Sequence, residues 1–179
     1  MSILIVRPGL FTTVQDGGRF GSMSLGFTQC GAMDYKAAKT ANLLIGNNPN
    51  DAVLEMTYTG IAALFREDCA IALSGAHFKA SINTVPIKTN KAYKIKAGDV
   101  LSMREAISGA RAYLAISGGI DVPQVLGSRS TDLKLKLGGF EGRALKCKDE
   151  IKIFGGELPN KIECREIPEF EYGNEITLR

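Results

Sequence analysis

Residues 52–74 read AVLEMTYTGIAALFREDCAIALS. Three apolar runs, 52–57, 61–65 and 70–74, stand in series, separated by short polar or glycine-bearing breaks. Runs this short, cut by such breaks, read as strands rather than helices. The same texture continues outward through ILIV (3–6), KAYKIK (91–96), VLSM (100–103), RAYLAIS (111–117) and EIKIF (150–154). KAYKIK alternates and predicts one solvated face. IALS (71–74) and LAIS (114–117) are apolar on both sides and predict central strands. Many short strands at this spacing give a mainly β chain, a closed barrel or a sandwich.

One segment departs from that pattern. In MDYKAAKTANLLIGNN (33–48), Asp34 is placed as an N-cap, and Ala37, Ala38, Ala41, Leu44 and Ile45 form an apolar stripe. Gly46 suits the position after the helix, and Asn47-Asn48-Pro49 ends it. A single short amphipathic helix therefore packs across the side or mouth of the strands.

Composition narrows the class. A chain of 179 residues with 45% apolar content can bury one sizeable core. The net charge of +3 is small and spread out. The basic stretches at 88–96 and 134–136 alternate with apolar residues, as solvent-facing strand positions do, which argues against nucleic-acid binding. No stretch reaches the roughly 18 apolar residues of a membrane helix, and the start lacks the pattern of a secretory signal. Cys30, Cys69, Cys147 and Cys164 form no CxxC pair, so a zinc site built with the single His77 is not expected. They read as reduced, mostly buried thiols of a cytoplasmic protein.

Two stretches echo each other: KIKAGDVLSM (94–103) and ALKCKDEIKI (144–153) each enter a strand through a charged turn, with Asp99 and Asp149 in corresponding places. Two unrelated hairpins of similar chemistry explain this more simply than duplication. Residues 1–155 are expected to form the β domain. Residues 156–179 form a charged segment ending on the strand-like ITLR, and are expected to lead to a second barrel outside this sequence.

Three polar clusters are candidates for chemistry. TTVQDGGRFG (12–21), extended through GFTQCGAMD (26–34), sets Gln15, Asp16 and Arg19 on a backbone loosened by glycines at 17, 18, 21, 26 and 31. Together they offer an acceptor, an anion and a bidentate donor. Asp16 with Arg19 reads equally well as a local salt bridge. SGGIDVPQVLGSRSTD (117–132) follows an apolar strand, with Gly118-Gly119 as a bend with exposed amides and Arg129, Ser130 and Thr131 as clustered donors. Such a set suits a carboxylate, phosphate or carbonyl-rich ligand, or a loop capped by its own hydroxyls. LEMTYTG (54–60) places Glu55 in an apolar strand, where it faces solvent, lines a cavity or pairs with Arg129 or Arg19; alternation favours the wet face. The templates GxSxG, GxxxxGK[ST] and HExxH are missing, His77 reads as a packed or surface residue, and no nucleophile is identified.

In order along the chain, PGLFTTVQDGGRFG (8–21), GAMDYKAAKTANLLIGN (31–47), LEMTYTG, RAYLAISGGIDVPQVLGSRSTD (111–132) and the Gly142-Arg143 pair resemble the biotin-dependent carboxyltransferase family. That family is also called allophanate hydrolase subunit 2 and includes KipA and the C component of bacterial 5-oxoprolinase. The likeness runs from Ile3 to about Ile153. It implies a cyclophilin-like closed β-barrel, and since members are nearly twice this length, it covers their first half.

The resemblance implies one component of a complex that opens 5-oxoproline to glutamate with ATP, alongside a KipI-like B component and a LamB/YcsF-like A component. The alternatives it carries are carboxyl transfer from carboxybiotin to urea or a similar small amide, and a non-enzymatic regulator that antagonises a kinase inhibitor. The sequence shows no biotin-accepting Met-Lys pair flanked by small residues, so the biotin would sit on a partner protein. The implied substrate-binding positions are Gln15, Asp16, Arg19, Asp34, Glu55, Gly118, Gly119, Arg129, Ser130 and Thr131, with no general base singled out and no metal.

Overall fold

A computed structural model describes residues 1–156, 162–168 and 170–173. Nine strands appear in chain order: β1 (Ser2–Arg7), β2 (Phe11–Gln15), β3 (Val53–Thr57), β4 (Ala62–Phe65), β5 (Cys69–Ile82), β6 (Val85–Ile87), β7 (Lys91–Ile95), β8 (Val100–Ile116) and β9 (Glu150–Lys152). The helix α1 (Tyr35–Leu44) lies between β2 and β3. The mainly β reading with one helix is borne out, and so is the cap: Asp34 Oδ1 accepts the Ala37 amide at 3.0 Å. Gly46 follows the helix at φ +78°, the left-handed conformation that a helix end favours.

The long antiparallel pair β5–β8 is the spine. One edge of β8 carries β4 near its start (Ala62 opposite Ser102) and β3 near its end (Leu54 opposite Leu114). The other edge carries β5 along its length, with register shifts between Gly75 and Ala80. From β8 the sheet runs through β3 to β2 in one direction and through β4 and β1 to β9 in the other. It curls into a half-barrel. The edge strands β2 and β9 do not pair with each other, but the segment between them bridges the gap: Leu145 N–H donates to Thr12 O at 2.8 Å, and Lys148 N–H to Ile5 O at 2.7 Å. Arg143, from the Gly142-Arg143 motif, braces that segment with two bonds to Asp149, at 2.7 and 3.0 Å.

Strand alternation sorts the core into two layers. Leu54, Met56, Ile71, Leu73, Leu114 and Ile116 fill the face enclosed by the curl. On the opposite face Ala70, Ala72, Ala92 and Ala115 make a shallow floor on which Ala37, Ala38, Ala41 and Leu44 of α1 rest. Small residues on both sides let helix and sheet approach closely, which explains why IALS and LAIS are apolar on both faces. The described part of the C-terminal segment returns to this layer: Ile162 is buried in it, and Ala92 N–H donates to Arg165 O at 3.0 Å. The ITLR tail lies outside the described residues.

Several expectations need correction. VLSM and RAYLAIS are the two ends of one 17-residue strand, and VPI (85–87) is a further strand outside the expected set, while FTTVQ (11–15) is the strand that runs into the glycine-loosened bend. Residues 134–136 form a turn, so their basic side chains are not strand positions. Only Cys69 is a buried thiol; Cys147 and Cys164 are exposed and Cys30 is intermediate. The echoing stretches form matching turns, in which Asp99 Oδ2 accepts Lys96 N–H at 2.8 Å and Asp149 Oδ2 accepts Lys146 N–H at 2.7 Å.

Candidate functional site

The two glycine-rich bends meet at the end of β2. Asp16 Oδ1 accepts Gly18 N–H at 2.8 Å and the hydroxyls of Ser128 and Ser130 at 2.7 and 2.6 Å. Its Oδ2 accepts Arg129 N–H at 2.5 Å. Thr131 Oγ1 donates to Val14 O at 2.9 Å, and Gln15 Nε2 donates to Thr13 Oγ1 at 3.0 Å. Four donors on one carboxylate compensate its charge and fasten the distant loop to the strand end.

Arg19 does not pair with Asp16. The residue is 1% exposed, and its guanidinium donates to three backbone carbonyls: Nε to Val125 at 3.0 Å, Nη1 to Thr28 at 3.4 Å and Nη2 to Ser130 at 3.1 Å. Gly138 makes room for it, since an added Cβ there would lie 3.0 Å from Arg19 Nη2 and 2.3 Å from Ser130 O. Gly18 and Gly31 likewise let two backbones touch, because a Cβ on Gly31 would lie 3.0 Å from Gly18 Cα. Thr28 Oγ1 donates to Asp132 Oδ2, closing the same assembly. Burial pushes the Asp132 carboxyl up, but hydrogen bonds from Thr28, the Leu135 amide and Cys30 outweigh it and hold the group below its ordinary value.

Beside this clamp lies an open cleft of about 730 Å3. Asp16, Gly17 and Gly18 form one part of its lining, and Gln124, Gly127 and Arg129 another. Tyr35, Asn48, Asn50 and Asp51 contribute a third wall, with Phe20, Gln29, Cys30 and Ala32 completing the rim. That third wall is internally fixed: Tyr35 O–H donates to Asn50 Oδ1 at 2.6 Å and Asn48 N–H to Asp51 Oδ2 at 2.9 Å.

Of the expected site residues, Asp16 and Arg129 line this cleft. Arg129 Nε donates to Val122 O at 3.0 Å and the guanidinium sits 5.2 Å from the Phe154 ring centroid. Its two terminal nitrogens meet no acceptor among the described residues. Ser130 and Thr131 are buried, with hydroxyls engaged on Asp16 and Val14. The Gly118 and Gly119 amides are not open donors, because they bond Asn47 Oδ1 at 3.0 Å and Ile116 O at 2.9 Å.

Glu55 and Asp34 form a second network away from the cleft. Thr13, Glu55, Tyr113 and Ser74 are successive cross-strand neighbours in a buried polar row. Glu55 Oε2 accepts Met33 N–H at 2.8 Å and Tyr113 O–H at 2.9 Å, and Oε1 lies 3.4 Å from Arg111 Nε. Glu55 is therefore not a wet-face residue, and its cation is Arg111 rather than Arg19 or Arg129. Burial, and then the Glu55 charge, push the Tyr113 phenol above its ordinary value. Asp34 Oδ2 accepts Tyr172 O–H at 2.9 Å.

The sequence reading missed the wall at 48–51, because the NNPND run (47–51) carries the marks of a helix stop and nothing more. It also missed Gln29, Tyr35 and Gln124. Among the described residues, no group of His, Cys, Asp and Glu is arranged to hold a metal ion, and no helix is long and apolar enough to cross a membrane.

The chain is similar to known proteins along nearly its whole length. A family model described as carboxyltransferase domain, subdomain A and B, matches residues 25–176. The chain is 42% identical over 172 residues, 96% of its length, to the C component of the 5-oxoprolinase of Escherichia coli (strain K12), of which it covers 55%. It is 41% identical over 155 residues to 8% of the urea amidolyase of Lachancea kluyveri, a match that takes in 86% of this chain. The crystal structure of the K. lactis urea amidolyase superposes with a TM-score of 0.84 at 36% identity, over 96% of this chain and 10% of that one. The chain thus spans about half the length of the curated 5-oxoprolinase component it matches.

Proposed function

We propose, from the premise that this chain belongs to the family of carboxyltransferase domains (subdomains A and B), that it builds one side of the small-amide site of a cytoplasmic, ATP-dependent 5-oxoprolinase. The observation that carries this reading is the 42% identity, along 96% of the chain, to the C component of a 5-oxoprolinase. The cleft supports it, since carboxamides, a phenol and one accessible guanidinium surround a space suited to a small carbonyl compound. In the proposed reaction water opens the lactam of 5-oxoproline to give glutamate, driven by ATP hydrolysis. The partners are a KipI-like B component and a LamB/YcsF-like A component.

The test is reconstitution. Wild-type chain with both partners should release glutamate from 5-oxoproline only when ATP is present, followed by enzymatic glutamate detection. Release at the same rate from the partners alone would sink the proposal.

A second reading has its own support in the 41% identity to a urea amidolyase. Here the cleft would hold urea or a similar amide while a carboxyl group arrives from carboxybiotin on a partner protein. Biotin-dependent transfer of labelled carboxyl to urea, with no glutamate released, would favour it.

A further inference from the structure

We infer that Arg129 is a carboxylate receptor, so that the cleft selects a small amide that also bears a carboxylate over a neutral amide of the same shape. The inference rests on the reading that this cleft holds the amide substrate.

Elimination comes first. The other donors that the sequence singled out on these two bends are taken: Arg19 by three carbonyls, Gln15 by Thr13, Ser130 by Asp16, Thr131 by Val14 O, and the Gly118 and Gly119 amides by Asn47 and Ile116. Arg129 is the one cationic side chain among the described residues of the cleft lining, and no ion pair joins it to a carboxylate among the described residues. An arginine left with open donors in a partly desolvated cleft attracts an anion.

Orientation comes second. The backbone N–H of Arg129 is tied to Asp16 at 2.5 Å, its Nε to Val122 O at 3.0 Å, and its plane to Phe154 at 5.2 Å. With Nε engaged, the edge left over is the Nη1–Nη2 pair, whose parallel N–H bonds match the two oxygens of a carboxylate. Little side-chain freedom remains to be lost on binding.

The rest of the lining suits the remainder of such a ligand. Asn48, Asn50, Gln124 and Tyr35 are neutral groups able to meet a lactam C=O or N–H, and Asp51 on its own wall can accept an N–H. Asp16, the other carboxylate of the lining, is compensated by four donors and competes little for Arg129.

The experiment compares 5-oxoproline with 2-pyrrolidinone, the same lactam without its carboxylate, as ligands of this chain by titration calorimetry. Wild type should bind 5-oxoproline at least about tenfold more tightly, with the preference shrinking as salt rises. Arg129→Ala should lower affinity for 5-oxoproline about tenfold or more and leave 2-pyrrolidinone unchanged, and Arg129→Lys should recover part of the loss. Equal wild-type affinity for the two lactams, binding of neither, or an equal loss of both in Arg129→Ala overturns the inference. Failure of the wild-type complex to release glutamate instead overturns the reading beneath it, and the binding preference stays measurable on its own.

Discussion

Arg19 and Arg129 stand on the two bends that meet at the cleft, and the fold treats them in opposite ways. Arg19 is enclosed, with its guanidinium on the carbonyls of Val125, Thr28 and Ser130. Arg129 lines the cleft with one nitrogen bound and two that meet no acceptor among the described residues. A guanidinium can act as an internal strut for irregular backbone, or as a donor presented to something outside. The deciding factor is the number of carbonyls within reach. Loops carry carbonyls without ladder partners, and a buried arginine satisfies several at once. The clamp around Arg19 and Asp16 is therefore the scaffold, and Arg129 is the part left over for a ligand.

The sharpest way to break this contrast is Arg19→Ala. It would strip donors from three carbonyls and leave a void beneath the loop, costing about 3–5 kcal/mol. Urea denaturation should show that loss as a lower midpoint, with Arg19→Lys recovering only part of it. A loss below about 1 kcal/mol would mean that the clamp is not structural.

Asp16→Asn comes next. One neutral amide oxygen would replace two charged ones that together meet four donors, and the new NH2 would face donors instead of acceptors. A loss of about 2–3 kcal/mol is expected, with the 124–131 loop released first. Hydrogen exchange at the Arg129 and Ser130 amides reads that release directly.

Asp132 sharpens the contrast through pH. Its folded pKa is depressed, because its hydrogen bonds favour the ionised form despite burial. A carboxylate of this kind contributes stability above the unfolded value, near 3.9, and loses it as pH falls through the lower folded value. Asp132→Asn should cost about 1–2 kcal/mol at pH 7, and the gap to wild type should close as pH drops from about 5 to 2. A gap that stayed constant with pH would detach Asp132 from the clamp.

Much of this was legible in the chain and some of it was not, for physical reasons. The strand runs, the Asp34 cap and the Gly46 stop depend on neighbours a few residues away, and the structure returned them. That the Asp16 and Ser128–Thr131 bends belong together was implied by the family resemblance; their composition alone reads equally as a turn with a local salt bridge and a loop capped by its own hydroxyls. Which donors stay open did not follow, since that depends on carbonyls more than a hundred residues away, as with Arg19 and Ser130. Glu55 misled the alternation argument because α1 and its leading segment cover the second face of the sheet, so both faces of β3 are buried. The strand β8 was split because its middle, REAISGA (104–110), is polar and largely exposed.

The smallest expected effect is the most diagnostic. Arg129→Ala removes one hydrogen bond to Val122 O and a cation–π contact with Phe154, a ring that is itself 54% exposed. Each is worth at most about 1 kcal/mol in a partly solvated setting, and the truncated chain regains freedom that offsets some of it. The backbone N–H of residue 129 keeps its bond to Asp16 whatever the side chain, so the clamp stays whole. The net loss should be about 0.5–1 kcal/mol, several-fold below Arg19→Ala, with the denaturant slope unchanged. Arg129 would be a strut like Arg19 if its removal cost as much. A mutant nearly as stable as wild type that has lost 5-oxoproline but kept 2-pyrrolidinone separates scaffold from receptor at a single residue.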